Sequence, residues 1–220
     1  MLDSMGQGPA SPKVFVASLS MKTNPSSLFL WRNYAYGPDQ KQRYRGSFRI
    51  MVRDALRATT AAPTFFVPLQ REDAKYCDGA FLANNPTAVA LNEVRTLYPG
   101  VPVECVVSIG TGYHEDTRKA DGSYGWEGIV NDLINCATNT EVVHETLSAF
   151  LPRSKYYRFN PKTEAFALDE VRPERLQKMK RIAREYFWEA ENKERMNQLV
   201  DLLRKGGSPL PGFRSTLRSD

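Results

Sequence analysis

This sequence has little material for metal or disulfide chemistry. It holds three cysteines, Cys77, Cys105 and Cys136, and two histidines, His114 and His144, in 220 residues. The cysteines are widely spaced, make no zinc pattern and leave an odd thiol. Two of them stand in apolar runs, which suits buried free thiols in a reducing compartment. The histidines are too few and too scattered for a metal site, so no metal is expected. Long apolar runs are absent as well, and none approaches the roughly 20 residues of a membrane span. Met1 to Pro12 is short, polar and Gly/Pro/Ser-bearing, which does not read as a secretory signal; residues 1–12 read as a flexible N-terminus. Arg218-Ser219-Asp220 is not a peroxisomal address. No internal repeat or long low-complexity segment is present.

What is there is ordinary in proportion. The apolar fraction of 41% and charged fraction of 25% suit one globular domain with enough chain to bury a core. The net charge is +5. That mild basic balance fits an anionic membrane surface, but it fits nucleic acid or no particular partner equally well. Arg172, Arg175, Lys178, Lys180, Arg181 and Arg184 are interleaved with acids, the usual pattern of a solvated helix face; contact with a lipid surface is the alternative there.

Strands and helices alternate. Lys13–Leu19 and Leu28–Tyr34 read as strands joined by a turn at Asn24-Pro25, with a hairpin open to them. Ala35–Gly46 reads as a loop. Phe48–Thr59 has a helical period, with Ile50, Met51, Ala55 and Ala58 on one face, and Pro63 stops it. Phe65, Phe66 and Val67 read as core, with a pocket wall as the alternative. Lys75–Cys77 is a short strand. Thr87–Leu97 is a helix with Val89, Ala90, Val94 and Leu97 as its buried stripe, Asn84 or Asn85 as N-cap and Pro86 just inside. Val103–Ile109 is a β-branched run of the buried parallel type. Gly110-Thr111-Gly112 follows it; a phosphate loop needs a Lys and longer glycine spacing, so that signal is weak. Tyr113–Gly125 reads as a loop, Trp126–Ala137 and Glu141–Phe150 as helices, and Thr138-Asn139-Thr140 between them offers an N-cap. Tyr156–Phe159 is a last strand. Asp169 to about Arg204 is charged and helical, with stripes Leu176, Met179, Ile182, Ala183, Tyr186, Phe187 and then Met196, Leu199, Val200, Leu203. Residues 206–220 read as a disordered tail.

The stretch that organises the chain is Tyr76-Cys77-Asp78-Gly79-Ala80-Phe81-Leu82-Ala83-Asn84-Asn85-Pro86. A strand end, a tight turn and a helix start are a common place for chemistry in an α/β protein. Asp78 would stand at the mouth of the sheet, able to accept a proton from a hydroxyl. Gly79 provides an unusual φ or lets a neighbour come close. The plain alternative is that Asp-Gly is only a turn.

Three ordered blocks, "RATTAAPTFF", "DGAFLANNPTAVALNEV" and "VVSIGTG", followed by "CATNTEVVHETL" and "LPRSKYYRFNP", resemble the patatin-like phospholipase family. The likeness is greatest to its calcium-independent, gamma-type branch and covers roughly residues 13 to 200. It implies a lipid acyl hydrolase with a Ser–Asp dyad that needs neither cofactor nor metal. It also implies an α/β fold, the three-layer patatin-like sandwich with a mainly parallel sheet. Asp78-Gly79-Ala80 matches the family's Asp-Gly-Ala motif, so the resemblance makes Asp78 the general base. The family's nucleophile stands in a GxSxG elbow, preceded by a glycine-rich oxyanion loop. Neither is found: Gly46-Ser47-Phe48, Gly122-Ser123-Tyr124 and Gly206-Gly207-Ser208-Pro209 do not fit.

The expectation is therefore a C-terminal part of the domain over residues 13–160, a helical extension over 161–205, and no activity in the isolated chain. The implied partners are a phospholipid or other acyl lipid at a membrane surface, inside the cell and peripheral to the membrane, and another chain over the bare sheet edge; nucleic acid is not among them. Substrate-binding residues are unassigned. Ser18, Ser20 and Ser108 are the serines to examine as a substitute nucleophile. The alternatives are a non-catalytic lipid- or partner-binding module and, behind it, a nucleotide-binding domain using Gly110 to Gly112.

Overall fold

The computed structural model describes residues 11–71, 74–114 and 135–205. It divides into two compact units. The first holds the chain up to Val101 and a return segment ending at Leu147; the second holds Pro102 onward and the stretch from Ser148. Residues 1–10, most of the expected Tyr113–Gly125 loop and Trp126–Ala137 helix, and the expected tail lie outside the described residues.

The first unit is built on a five-stranded sheet. Its strands are β1 (Phe15–Ser20), β2 (Ser27–Arg32), β3 (Arg45–Ser47), β4 (Leu69–Arg71) and β5 (Ala74–Asp78), in the order β3-β2-β1-β5-β4. The helices are α1 (Val52–Thr59), α2 (Ala80–Ala83) and α3 (Thr87–Leu97). β1 pairs antiparallel with both β2 and β5, β4 pairs antiparallel with β5, and only β2–β3 is parallel. The fold is mixed α/β, but the sheet is not the mainly parallel one expected. Chain length explains the difference. Only residues 21–26 join β1 to β2, and only 72–73 join β4 to β5, far too few for a crossover between parallel strands. Short strands explain why β3 and β4 escaped the sequence pattern: three residues carry no period.

Alternate residues of a strand face opposite sides. On one face Trp31, Ala74 and Tyr76 pack with Ile50, Ala55 and Ala58 from and beside α1, and Val16, Phe29 and Leu69 close the cluster. Phe29, Trp31 and Tyr76 make a triangle of edge and tilted ring contacts, with centroids 4.5–5.0 Å apart. The buried indole N–H of Trp31 donates to Ser18 Oγ at 3.1 Å, so no donor is lost in that core. Met51, expected on the buried face, is exposed. Its extended backbone makes it the N-cap, and the helix begins only at Val52 rather than at Phe48.

On the opposite face the sheet buries charge. Arg32 and Glu93 are 3% and 2% exposed in their side chains. Arg32 Nε donates to Glu93 Oε2 at 2.6 Å and its second terminal nitrogen to Oε1 at 3.0 Å; Tyr34 O–H donates to Oε2 at 2.6 Å. The expected stripe of α3 is thus shifted: Val89 is buried, but Val94 is exposed and Glu93 takes the inward position. Burial pushes the Glu93 carboxyl up, yet the hydrogen bonds from Arg32 and Tyr34 outweigh that and hold it below the usual carboxylate range.

The second unit pairs β6 (Val106–Ile109) parallel to β7 (Tyr156–Phe159). It also holds α5 (Pro173–Trp188) and α6 (Ala190–Lys205); α4 (Glu141–Phe150) lies between β6 and β7 in the chain. Tyr157, Phe159 and Leu199 are buried together, with Cys105, Tyr186, Met196 and Leu202 against them. All four residues of β7 are buried. β6 is parallel as expected but not buried throughout, because Val107 and Ile109 are exposed. The long charged helix breaks at Glu189, where Asn192 Nδ2 donates to Tyr186 O at 3.0 Å and Glu189 Oε2 at 2.8 Å. Leu203, expected in the stripe, is exposed, and Leu202 packs in its place. Asn139 Oδ1 accepts the Glu141 N–H at 2.9 Å, the cap expected for α4.

Glu93→Ala would leave Arg32 buried and uncompensated, and should cost about 3–5 kcal/mol in urea denaturation. The carboxyl has a lower pKa folded than unfolded, so its contribution is present above the unfolded value of about 4.3 and is lost as pH falls through the folded value. Glu93→Gln should accordingly flatten the acid side of the stability-against-pH curve relative to the parent chain.

Candidate active site

Asp78 is the last residue of β5 and is half-buried. Its own N–H donates to Ala61 O at 3.0 Å, which ties the segment after α1 to the site. Its Oδ1 accepts the Ala80 N–H at 2.8 Å, closing an Asx turn. Oδ2 makes no hydrogen bond among the described residues. The turn opens α2, a single helical turn that the sequence pattern did not reveal.

Gly79 is explained by space and not by φ, which is an ordinary −75°. A Cβ there would lie 2.5 Å from Ala17 O and 2.6 Å from Ala17 C. The β1 backbone therefore passes directly against the turn. Ala17 O is also bound by Thr59 Oγ1 at 2.5 Å, so the end of α1, the middle of β1 and the Asp-Gly turn meet at one carbonyl. Phe15, Ala17, Thr59, Asp78, Gly79 and Asn84 help line a cleft of about 300 Å³ at this junction.

The Asn84-Asn85-Pro86 turn is anchored by side chains. Asn85 Oδ1 accepts from Thr87 N at 3.2 Å and from Thr87 Oγ1 at 2.6 Å. Asn85 Oδ1 thus holds the first amide of α3, but the N-cap position expected for Asn84 or Asn85 belongs to Pro86, which stands outside the helix and not just inside it. Asn84 Nδ2 donates to Thr138 O at 2.5 Å and Asn85 Nδ2 to Thr140 O at 3.1 Å. These bonds bring "LANNP" and "ATNT", 54 or more residues apart, onto one another.

Cys77, Ser18, Ser20 and Ser108 are all buried. Strand alternation turns Cys77 to the face opposite Asp78, and burial first, then the Asp78 charge, pushes its thiol up. Ser18 stands across from Asp78 in the β1–β5 register and shares its face. It is wholly buried and accepts the Trp31 indole. Ser20 and Ser108 are also buried, and Ser108 Oγ accepts from Arg158 at 3.1 Å. None of the three serines lines the cleft.

Two expectations need adjustment. Phe65, Phe66 and Val67 are not core: they are 45%, 56% and 77% exposed. The chain reverses there through Thr64, a non-glycine residue at φ +70°, and Arg57 lies over the Phe66 ring at 5.4 Å while donating to Val67 O. Gly110-Thr111-Gly112 is a turn packed on the end of β7. Gly112, at φ +106°, donates its N–H to Asn160 Oδ1 at 2.9 Å, which takes up an amide that a phosphate loop would present. Sequence reasoning missed the Arg32–Glu93–Tyr34 network. The signal existed: Glu93 stands at the i+4 position between Val89 and Leu97, a charge inside an apolar period. Gly79→Ala should force Ala17 and the turn apart at a cost of about 1–3 kcal/mol, read as a drop of several degrees in the thermal midpoint.

Comparison with known proteins adds to this geometry. Residues 21–91 match the family model described as patatin-like phospholipase. The chain is 33% identical over 225 residues to the calcium-independent phospholipase A2-gamma of Mus musculus, covering 94% of this chain and 29% of that protein. It is 34% identical over 200 residues to the protein of the same name from Homo sapiens, covering 90% of this chain and 25% of that one. Phospholipase A I of Arabidopsis thaliana is 33% identical over 196 residues, covering 74% of this chain and 15% of its own length. The chain spans less than a third of the length of these relatives. Its matched segment carries both the Asp-Gly turn and the start of α3, and with identity running along most of its length the chain is a relative of the patatin-like phospholipases, near their calcium-independent gamma type.

Proposed function

We propose that residues 13–160 are the C-terminal part of a patatin-like lipid acyl hydrolase domain, three-layered as in that family, with residues 161–205 as a helical extension. Asp78 is its general base. The observation that carries the reading is Asp78 itself: a strand-end carboxylate, oriented through one oxygen by the Ala80 amide, with the other oxygen unbonded at a cleft.

In this reading a serine supplied from outside these 220 residues attacks the ester carbonyl of a phospholipid or other acyl lipid. As the O–C bond forms, Asp78 Oδ2 takes the serine proton; when the tetrahedral intermediate collapses, that proton goes to the leaving alcohol. Water then repeats the sequence on the acyl-enzyme, with Asp78 again as base. No metal enters the scheme. The incoming segment would also supply the oxyanion donors and pair with an edge of the sheet. The place of action is a membrane surface.

A second reading is a lipid- or partner-binding module without catalysis. The missing GxSxG favours it, together with the burial of Ser18, Ser20 and Ser108. Hydrolysis of a fluorogenic acyl ester and of phospholipid vesicles separates the two. The 220-residue chain alone should be inactive. Supplied with a GxSxG-bearing N-terminal half of a gamma-type relative, it should become active, and Asp78→Asn should lower that activity by about 100- to 10,000-fold. Unchanged activity in Asp78→Asn would assign the base elsewhere, and failure of any reconstitution would leave the binding module.

A further inference from the structure

The exposed side of α5 combines charge and apolar bulk in a way its salt bridges do not absorb. Of the cations on this helix, Arg175 and Lys178 are engaged: both bind Glu164, and Arg175 also reaches Glu170, which Arg172 holds at 2.5 Å. Lys180 and Arg184 have no ion pair among the described residues. Arg181 has only Glu185, at 3.8 Å, and both groups are about two-thirds exposed. At 100° per residue, Lys180, Arg181 and Arg184 fall on one broad face with Leu176 and Trp188, opposite the inward Met179, Ile182 and Tyr186, while Phe187 turns its ring toward Phe159, 5.5 Å away between centroids. Trp188 is 68% exposed at the C-terminal end of that face, where Lys193 lies 5.2 Å from its ring. The segment leading into the helix exposes Leu168 and Val171, at 76% and 78%. A shallow groove of about 680 Å³ runs along the helix, lined by its basic side chains together with Glu174 and Gln177.

Cations flanked by exposed aromatic and aliphatic side chains are the chemistry of a membrane interface: the charges meet anionic headgroups and the rings settle at headgroup depth. Nucleic acid would satisfy Lys180, Arg181 and Arg184 through its phosphates and could stack on Trp188. It has nothing to offer Leu168, Val171 and Leu176, which gain only from leaving water. We infer that the outward face of α5, with Lys180, Arg181 and Arg184 at its centre and Trp188 at its end, docks this chain on an anionic phospholipid surface. The inference deepens the lipid reading above and rests on it for the nature of the surface, but it requires no hydrolysis.

The test is sedimentation of the full 220-residue chain with phosphatidylcholine vesicles, with and without phosphatidylserine. The chain should bind the phosphatidylserine vesicles and not the neutral ones, and should release as salt is raised. The Lys180→Gln/Arg181→Gln/Arg184→Gln variant should lose about 100-fold in vesicle affinity, from the usual contribution of each basic residue near such a surface. Trp188→Ala, which keeps the charge, should lose several-fold. All these side chains are exposed, so an unchanged thermal midpoint will show that the variants fold. No binding by the parent chain, equal binding to neutral vesicles, or a triple variant that binds like the parent would overturn the inference. So would tighter binding to single-stranded RNA than to the vesicles. Because only binding is read, a chain that binds vesicles but gains no activity in any reconstitution leaves this inference standing while the hydrolase reading falls; a reconstituted hydrolase indifferent to phosphatidylserine does the reverse.

Discussion

The buried contact between Arg32 and Glu93 couples the sheet of the first unit to the helix that follows the Asp-Gly turn. Removing both charges from water is expensive, and a pair alone seldom makes it good. Here the carboxylate receives two donors from one guanidinium and a third from Tyr34. Arg32 gives a further bond to Tyr44 O at 3.1 Å and lies over the Tyr36 ring. The arrangement tolerates little sliding, because a shift of one residue along α3 would turn Glu93 away and leave the guanidinium facing apolar surface. It fixes the rotation of α3 and, through it, where Asn85 and Pro86 must stand. The opposite face of the same strand carries Trp31 and its aromatic partners, so β2 is held by charge on one side and by ring packing on the other.

This framing bears on the chemistry. Asp78 lies between two fixed points, β5 and α3, and the eleven residues from Tyr76 to Pro86 are pinned at the carbonyls of Ala17, Ala61, Thr138 and Thr140. In the function proposed above Asp78 is the base, and a base needs such support, since an error of about 1 Å in its position is costly. The close approach to Ala17 is one that a side chain at position 79 would block. Ser18, adjacent to Asp78 in the sheet register, is enclosed in the aromatic core, where its Oγ accepts from the Trp31 indole.

The second unit handles its charge differently. Glu164 and Glu170 gather Arg172, Arg175 and Lys178 into a local network at the start of α5. The next turns leave Lys180, Arg181 and Arg184 facing outward, with exposed apolar groups at either end.

Local order was legible in the chain wherever period and punctuation were strong. Asp78 at a strand end, the strands over Val106–Ile109 and Tyr156–Phe159, the Asn139 cap and the run of helix after Pro173 all follow from neighbouring residues. The link to patatin-like phospholipases was legible too, since three ordered motifs survive in the linear text. What the residues could not disclose depends on partners distant in sequence. The antiparallel sheet reflects short connections whose closing strands, β3 and β4, are too brief to show a pattern. The inward turn of Glu93 depends on an arginine 61 residues away. The purpose of Gly79 depends on the carbonyl of Ala17. Each of these is a contact across the fold, and sequence patterns report on a residue's neighbours along the chain, whereas burial, charge pairing and close approach are settled only when distant segments meet.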